Sequence, residues 1–66
     1  MIVQLNGEPT DVESHTTVAD LVGEMAPSPK GVAVAVNGDV VPRSAWTTTT
    51  VALGDQVEIL SAAQGG

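Results

Sequence analysis

At 66 residues, with eight acidic and two basic side chains and a net charge of −6, the chain is long enough for one small domain and no second. That charge argues against a nucleic-acid partner, because neutralising phosphates takes clustered Lys and Arg; it points instead to solubility or to a partner with a basic surface. Lack of cysteine excludes a disulfide framework, a thiolate nucleophile and thiolate metal ligands.

Met1 to Gly7 has no basic region and no long apolar run, so neither a signal peptide nor a membrane span is expected and the chain reads as soluble and cytoplasmic. The same stretch supplies the first element. Met1 to Leu5 is rich in apolar and branched residues, Asn6-Gly7 is a strong short hairpin signal, and Thr10 to Glu13 is expected to return as a second strand. Alternation assigns Met1, Val3 and Leu5 to the core face, with Pro9 near the turn.

Thr17-Val18-Ala19-Asp20 fits a capping box, and Val18, Leu21, Val22 and Met25 recur at the spacing of one helical face. A helix is predicted from about Val18 to Ala26, stopped by Pro27 and Pro29. Val32 to Val36 alternates valine with alanine and reads as a central strand covered on at least one face. Asn37-Gly38 turns it, as a type I′ hairpin, into Asp39 to Val41. Arg43 to Thr50 is a polar connection apart from Ala45 and Trp46. After a turn at Leu53-Gly54-Asp55, Gln56 to Leu60 forms the last strand with Val57 and Ile59 inward.

The fold class is therefore α+β: a mixed sheet of four to five strands with one main helix, in the order of a β-grasp. Closing such a sheet requires the last strand to lie parallel beside the first. The domain spans residues 1–61, and residues 62–66 form a flexible tail ending in a diglycine that can reach roughly 17 Å.

His15, the one histidine, lies in a polar bend without a second ligand or a nucleophile to pair with, and reads as a solvated loop residue. The acids are scattered as a solvated surface, and no catalytic side chain or metal site is expected. Thr47 to Thr50 reads as an ordinary exposed connection. Leu60 points away from Val57 and Ile59, so it either packs under a neighbouring loop or is a partner contact at the root of the tail. The last residues of a chain are often merely disordered. Two glycines, however, can thread a channel too narrow for side chains and let another protein reach the carboxylate. That carboxylate is an anion at neutral pH and a poor electrophile until a leaving group is attached.

The Asn37-Gly38 turn, Val41-Pro42-Arg43-Ser44-Ala45-Trp46, Leu53-Gly54-Asp55-Gln56-Val57-Glu58-Ile59 and Gln64-Gly65-Gly66 resemble, in order and spacing, the ThiS family of ubiquitin-like sulfur carriers. The resemblance is most specific from Val32 to Gly66. It implies a carrier that is not itself an enzyme and binds no cofactor. An E1-like adenylating enzyme of the ThiF or MoeB type would use ATP and Mg2+ to adenylate the Gly66 carboxylate. A sulfur donor, such as a cysteine desulfurase persulfide, would convert it to a thiocarboxylate for a ThiG-like thiazole synthase. On this reading Gly66 is modified, Gly65 and Gln64 belong to the tail, Leu60 is a candidate partner contact, and Trp46 is a core plug rather than an interface residue. The rival readings are a MoaD-like carrier serving molybdopterin or cysteine synthesis, a ubiquitin-like protein modifier, and a binding module with an inert tail.

Overall fold

The computed structural model describes residues 1–26, 28 and 30–61. The chain begins with β1 (Ile2–Leu5) and β2 (Glu8–Asp11), which pair antiparallel with Leu5 opposite Glu8. The return strand thus starts two residues earlier than the expected Thr10 and ends at Asp11 rather than Glu13. The cause is the turn: Asn6 and Gly7 both have positive φ, 51° and 84°, as a two-residue type I′ loop requires, so pairing resumes immediately after Gly7. Pro9 consequently lies within β2, opposite Gln4. It is tolerated there because Gln4 directs its N–H the other way, to Asp55 O at 2.8 Å, so this pair asks no donor of the proline on its edge strand.

Helix α1 (Val18–Met25) starts at the expected place. Thr17 Oγ1 accepts from Asp20 N at 3.1 Å and Asp20 Oδ2 accepts from Thr17 N at 3.0 Å, the reciprocal capping box. The other free N–H groups of the first turn are met by the threonine-rich connection: Val18 N donates to Thr49 O at 2.9 Å and Ala19 N to Trp46 O at 3.1 Å. The run Thr47 to Thr50 therefore has a structural role that its composition hides, since it docks the helix through its backbone. Replacing Thr17 with Ala removes one side of the box. The expected cost is about 1 kcal/mol, or a drop in Tm of roughly 4–8 °C for a domain of this size. A calorimetric Tm equal to that of the parent would contradict the assignment.

The helix ends at Met25, one residue before the expected Ala26. Ala26 is the extended C-cap, at φ −127° and ψ 136°, as befits a residue that precedes proline. Pro27 and Pro29 lie outside the described residues. Val18, Leu21 and Val22 are buried, but Met25, the last residue of the helix, is 44% exposed.

Strands β3 (Val32–Val36) and β4 (Asp39–Val40) form the second hairpin, turned by Asn37 and Gly38 at φ 53° and 86°. β4 ends one residue short of the expected Val41, whose N–H still donates to Val34 O at 2.9 Å. A single 3-10 turn, Arg43–Ala45, leads to Trp46. The last strand, β5 (Gln56–Ser61), runs one residue past Leu60. Sheet order is β2-β1-β5-β3-β4, so β5 holds the middle and β3 lies one place from the edge. β5 is parallel to β1, with Leu5 beside Val57, and antiparallel to β3 from Val32–Ser61 to Val36–Val57. This is the β-grasp arrangement: one helix across one face of a mixed sheet.

Val3, Val34, Val57 and Ile59 from the sheet and Val18, Leu21 and Val22 from the helix make the core, closed by Trp46 and Val51. Met1 and Leu5 pack half-buried at its margin. Trp46 is 5% exposed and donates Nε1–H to Val41 O at 3.0 Å, so it is the core plug that the sequence suggests.

Candidate functional site

The two faces of β5 part sharply. Val57 and Ile59 lie at 1% and 6% exposure under the helix, whereas Leu60, whose side chain alternates to the other face, is 67% exposed. Leu60 therefore does not pack under a loop. Its cross-strand partner is Ala33, Glu58 stands opposite Ala35, and Ala35 stands opposite Val40 on β4. Val40 is 78% exposed. These side chains line a shallow apolar depression on the outer sheet face, with Glu58 as its charged member. Two of the largest exposed apolar groups of the chain thus share one face, beside the strand that leads to residue 62.

Backbone and side-chain hydrogen bonds hold β5 at both ends. At its start, Asn37 N donates to Gln56 O at 2.7 Å, Asn37 Oδ1 accepts from Gln56 N at 2.9 Å, and Asn37 Nδ2 donates to Asp55 Oδ1 at 3.0 Å. Asp55 in turn accepts from Ala52 N at 2.8 Å through Oδ2, fixing the turn that precedes the strand. Near its end, Asn6 Oδ1 accepts from Ile59 N at 2.8 Å and Asn6 Nδ2 donates to Ile59 O at 3.2 Å. Sequence reasoning read both asparagines only as turn residues. The signal was there, since Asn favours φ > 0, but the reach of each side chain depends on the register of β5 against its neighbours.

Gln64, Gly65 and Gly66 lie outside the described residues. His15 is exposed in the turn before α1, at φ 70°, remote in sequence from Leu60 and its neighbours. Asp11, Glu13, Asp20 and Glu24 do line a common open cleft between β2 and α1, although Asp20 is engaged in the helix cap. Among the described residues, no group of three or more His, Cys, Asp and Glu could hold a metal ion, and no helix is long and apolar enough to cross a membrane. Every buried side-chain nitrogen and oxygen described has a hydrogen-bond partner.

Comparison with known proteins adds to this geometry. The crystal structure of a thiamine biosynthesis protein, ThiS, from Geobacter metallireducens superimposes with a TM-score of 0.82 at 34% identity, covering 92% of this chain and 93% of that one. A solution structure of a thiamine biosynthesis protein from the same organism gives 0.75 at 35% identity, covering 91% and 81%. The chain is also 35% identical over all 66 residues to thiazole synthases of Paramagnetospirillum magneticum and Magnetococcus marinus, but spans only 20% of the length of each. Residues 3–66 match the model of the ThiS family. With nearly the whole length matched and the fold agreeing, the chain belongs to the ThiS family.

Proposed function

We propose that the chain is a cytoplasmic sulfur carrier in thiamine biosynthesis and that the carboxylate of Gly66 is its working group. The observation that carries this reading is the place of β5: the strand that leads to the diglycine is the middle strand of the sheet, paired on both sides and buried on one face. Family membership supports the carrier role. In the thiazole synthases, a stretch matching this whole chain occurs within a longer polypeptide of that name, which supports a ThiG-like thiazole synthase as sulfur acceptor.

The chemistry runs on partner enzymes. A carboxylate oxygen of Gly66 attacks the α-phosphorus of ATP, held with Mg2+ by an E1-like adenylating enzyme, and pyrophosphate leaves. The terminal sulfur of a persulfide donor attacks the acyl carbon and AMP leaves. A thiol then cleaves the resulting acyl disulfide, releasing the Gly66 thiocarboxylate and leaving a disulfide on the donor side. Adenylation is required because a carboxylate expels no leaving group by itself. The carrier contributes reach and recognition: Gly65 and Gly66 carry no side chain to keep a partner's groups from the carboxylate, and Leu60, with Val40 and Ala33 beside it, is the partner contact.

Leu60→Asp places a charge in the apolar depression. It is expected to leave stability within about 0.5 kcal/mol of the parent, because the position is exposed. Affinity for the adenylating enzyme should fall roughly tenfold or more, as read by titration calorimetry, and parental affinity would remove Leu60 from the interface. The biological role is tested by complementation. The chain should restore growth without thiamine to a strain lacking its own ThiS and should not restore a strain lacking the small subunit of molybdopterin synthase. The reverse pattern would assign the sulfur to molybdopterin.

A further inference from the structure

We infer that Asn6 is a positioning residue for the sulfur-bearing end of the chain, an inference that rests on the proposed role of Gly66. β1 makes its last backbone bond to β5 through Asn6 N, which donates to Val57 O at 2.9 Å, and then turns away at Gly7. Ladder bonds recur at every second residue, so Ile59 is the next position of β5 whose N–H and C=O face β1, and no backbone of β1 remains to meet them. The Asn6 carboxamide takes that place. Its Oδ1 accepts from Ile59 N at 2.8 Å and its Nδ2 donates to Ile59 O at 3.2 Å, so a side chain supplies the donor and acceptor that a peptide group would.

The left-handed backbone of Asn6, φ 51°, belongs to the hairpin turn and lets the side chain reach β5. The consequence is that β5 is held on two sides as far as Ile59, two residues beyond its last backbone bond to β1. On the other side it stays paired with β3 through Ser61. The end of β5 is thereby held on its β1 side by a residue that lies 53 positions earlier in the sequence. No other common side chain does the same: aspartate keeps the acceptor and loses the donor, glycine keeps the turn and loses both, and glutamine is one methylene too long.

Asn37 provides the control. It occupies the same turn position, at φ 53°, and its carboxamide also reaches β5, but at Gln56, where the strand begins. Asn6→Gly, Asn6→Asp and Asn37→Gly variants of the full chain would be compared by amide hydrogen exchange and by steady-state adenylation and sulfur transfer with a ThiF-type enzyme, ATP, Mg2+ and sulfide. In Asn6→Gly, the Ile59 amide is expected to exchange roughly tenfold faster relative to Glu58, whose N–H faces β3. kcat for thiocarboxylate formation should fall roughly ten- to hundredfold with KM held within about twofold, since Leu60 stays paired with Ala33 on the β3 side while the change falls on the β1 side of the strand. Asn6→Asp should keep the slow exchange at Ile59, because its carboxylate still accepts that N–H. Asn37→Gly should leave both the Ile59 amide and kcat at parental values. Parental exchange at Ile59 in Asn6→Gly overturns the inference, and so does a parental kcat. Failure of the unsubstituted chain to react would instead remove the proposed role of Gly66, and the positioning role with it.

Discussion

Deleting Gly66 is expected to abolish sulfur loading while leaving the fold intact. Every buried apolar residue described lies between Val3 and Ile59, and β5 is paired on its β3 side up to Ser61, so nothing in the core depends on the last residue. The change in unfolding free energy should stay within about 0.5 kcal/mol. The chemical effect is of another order. A chain ending at Gly65 presents its carboxylate about 3.4 Å short, and misplacement of a reacting group by even 1 Å costs about a hundredfold. A shortened chain should therefore melt like the parent, fail to support growth without thiamine, and yield no thiocarboxylate above about one per cent of the parental rate. Full activity of the shortened chain would mean that Gly66 is not the acceptor.

The largest expected effect on stability is that of Trp46→Ala. Trp46 is the sole aromatic residue of the chain, 5% exposed, and closes the core formed by Val18, Leu21, Val34 and Val57. Its Nε1–H satisfies Val41 O, and its own carbonyl accepts from Ala19 N in the first turn of the helix. Truncating such a side chain costs about 3–5 kcal/mol through lost burial and the cavity left behind. A domain of this length has a total stability of only about 3–10 kcal/mol. The variant should accordingly be partly or wholly unfolded at 37 °C, with a urea midpoint far below that of the parent or no cooperative transition. Loss of less than about 1 kcal/mol would mean that the core closes without the indole.

The two experiments separate the two levels of the molecule. Trp46 belongs to the buried core and Gly66, on the proposed reading, to the chemistry, so loss of one should be visible as unfolding and loss of the other as inactivity in a folded protein. Leu60 and Asn6 stand between them, the first exposed on the outer face of β5 and the second in the β1–β2 turn, bonded through its side chain to Ile59 of that strand.

Elements whose pattern is local were legible in the sequence. The capping box, the helical face of Val18, Leu21 and Val22, and both Asn-Gly turns depend on residues a few positions apart, and each formed where its chemistry placed it. So did the inward pair Val57 and Ile59 and the outward Leu60, because strand alternation survives any register. The discrepancies arose at boundaries and over long range. β2 began early because a two-residue turn leaves no slack, and Pro9 entered the strand because the missing donor faces no partner. Met25 shared the periodicity of the core but not its cover.

The Thr47 to Thr50 connection looked featureless because its bond to the helix is made by a backbone carbonyl, Thr49 O, which no side-chain pattern records. The same holds for Asn6. Its dipeptide announces a turn, but the bond to Ile59 exists only because β5, more than fifty residues later, is inserted in parallel next to β1. Of the candidate site, the diglycine lies outside the described residues, while Leu60 was readable as an outward apolar group. Its framing by Val40, Ala33 and Asn6 required the sheet order.

The most direct measurement is the intact mass of the chain after incubation with a ThiF-type adenylating enzyme, ATP, Mg2+ and a persulfide donor. A sulfur carrier should gain the mass difference between one sulfur and one oxygen. Fragmentation should place that gain on Gly66, and treatment with a ThiG-type thiazole synthase and its substrates should reverse it. A mass that remains unchanged with an active enzyme and ample sulfur, or a gain located anywhere but Gly66, would contradict the proposal that this terminal carboxylate is the working group.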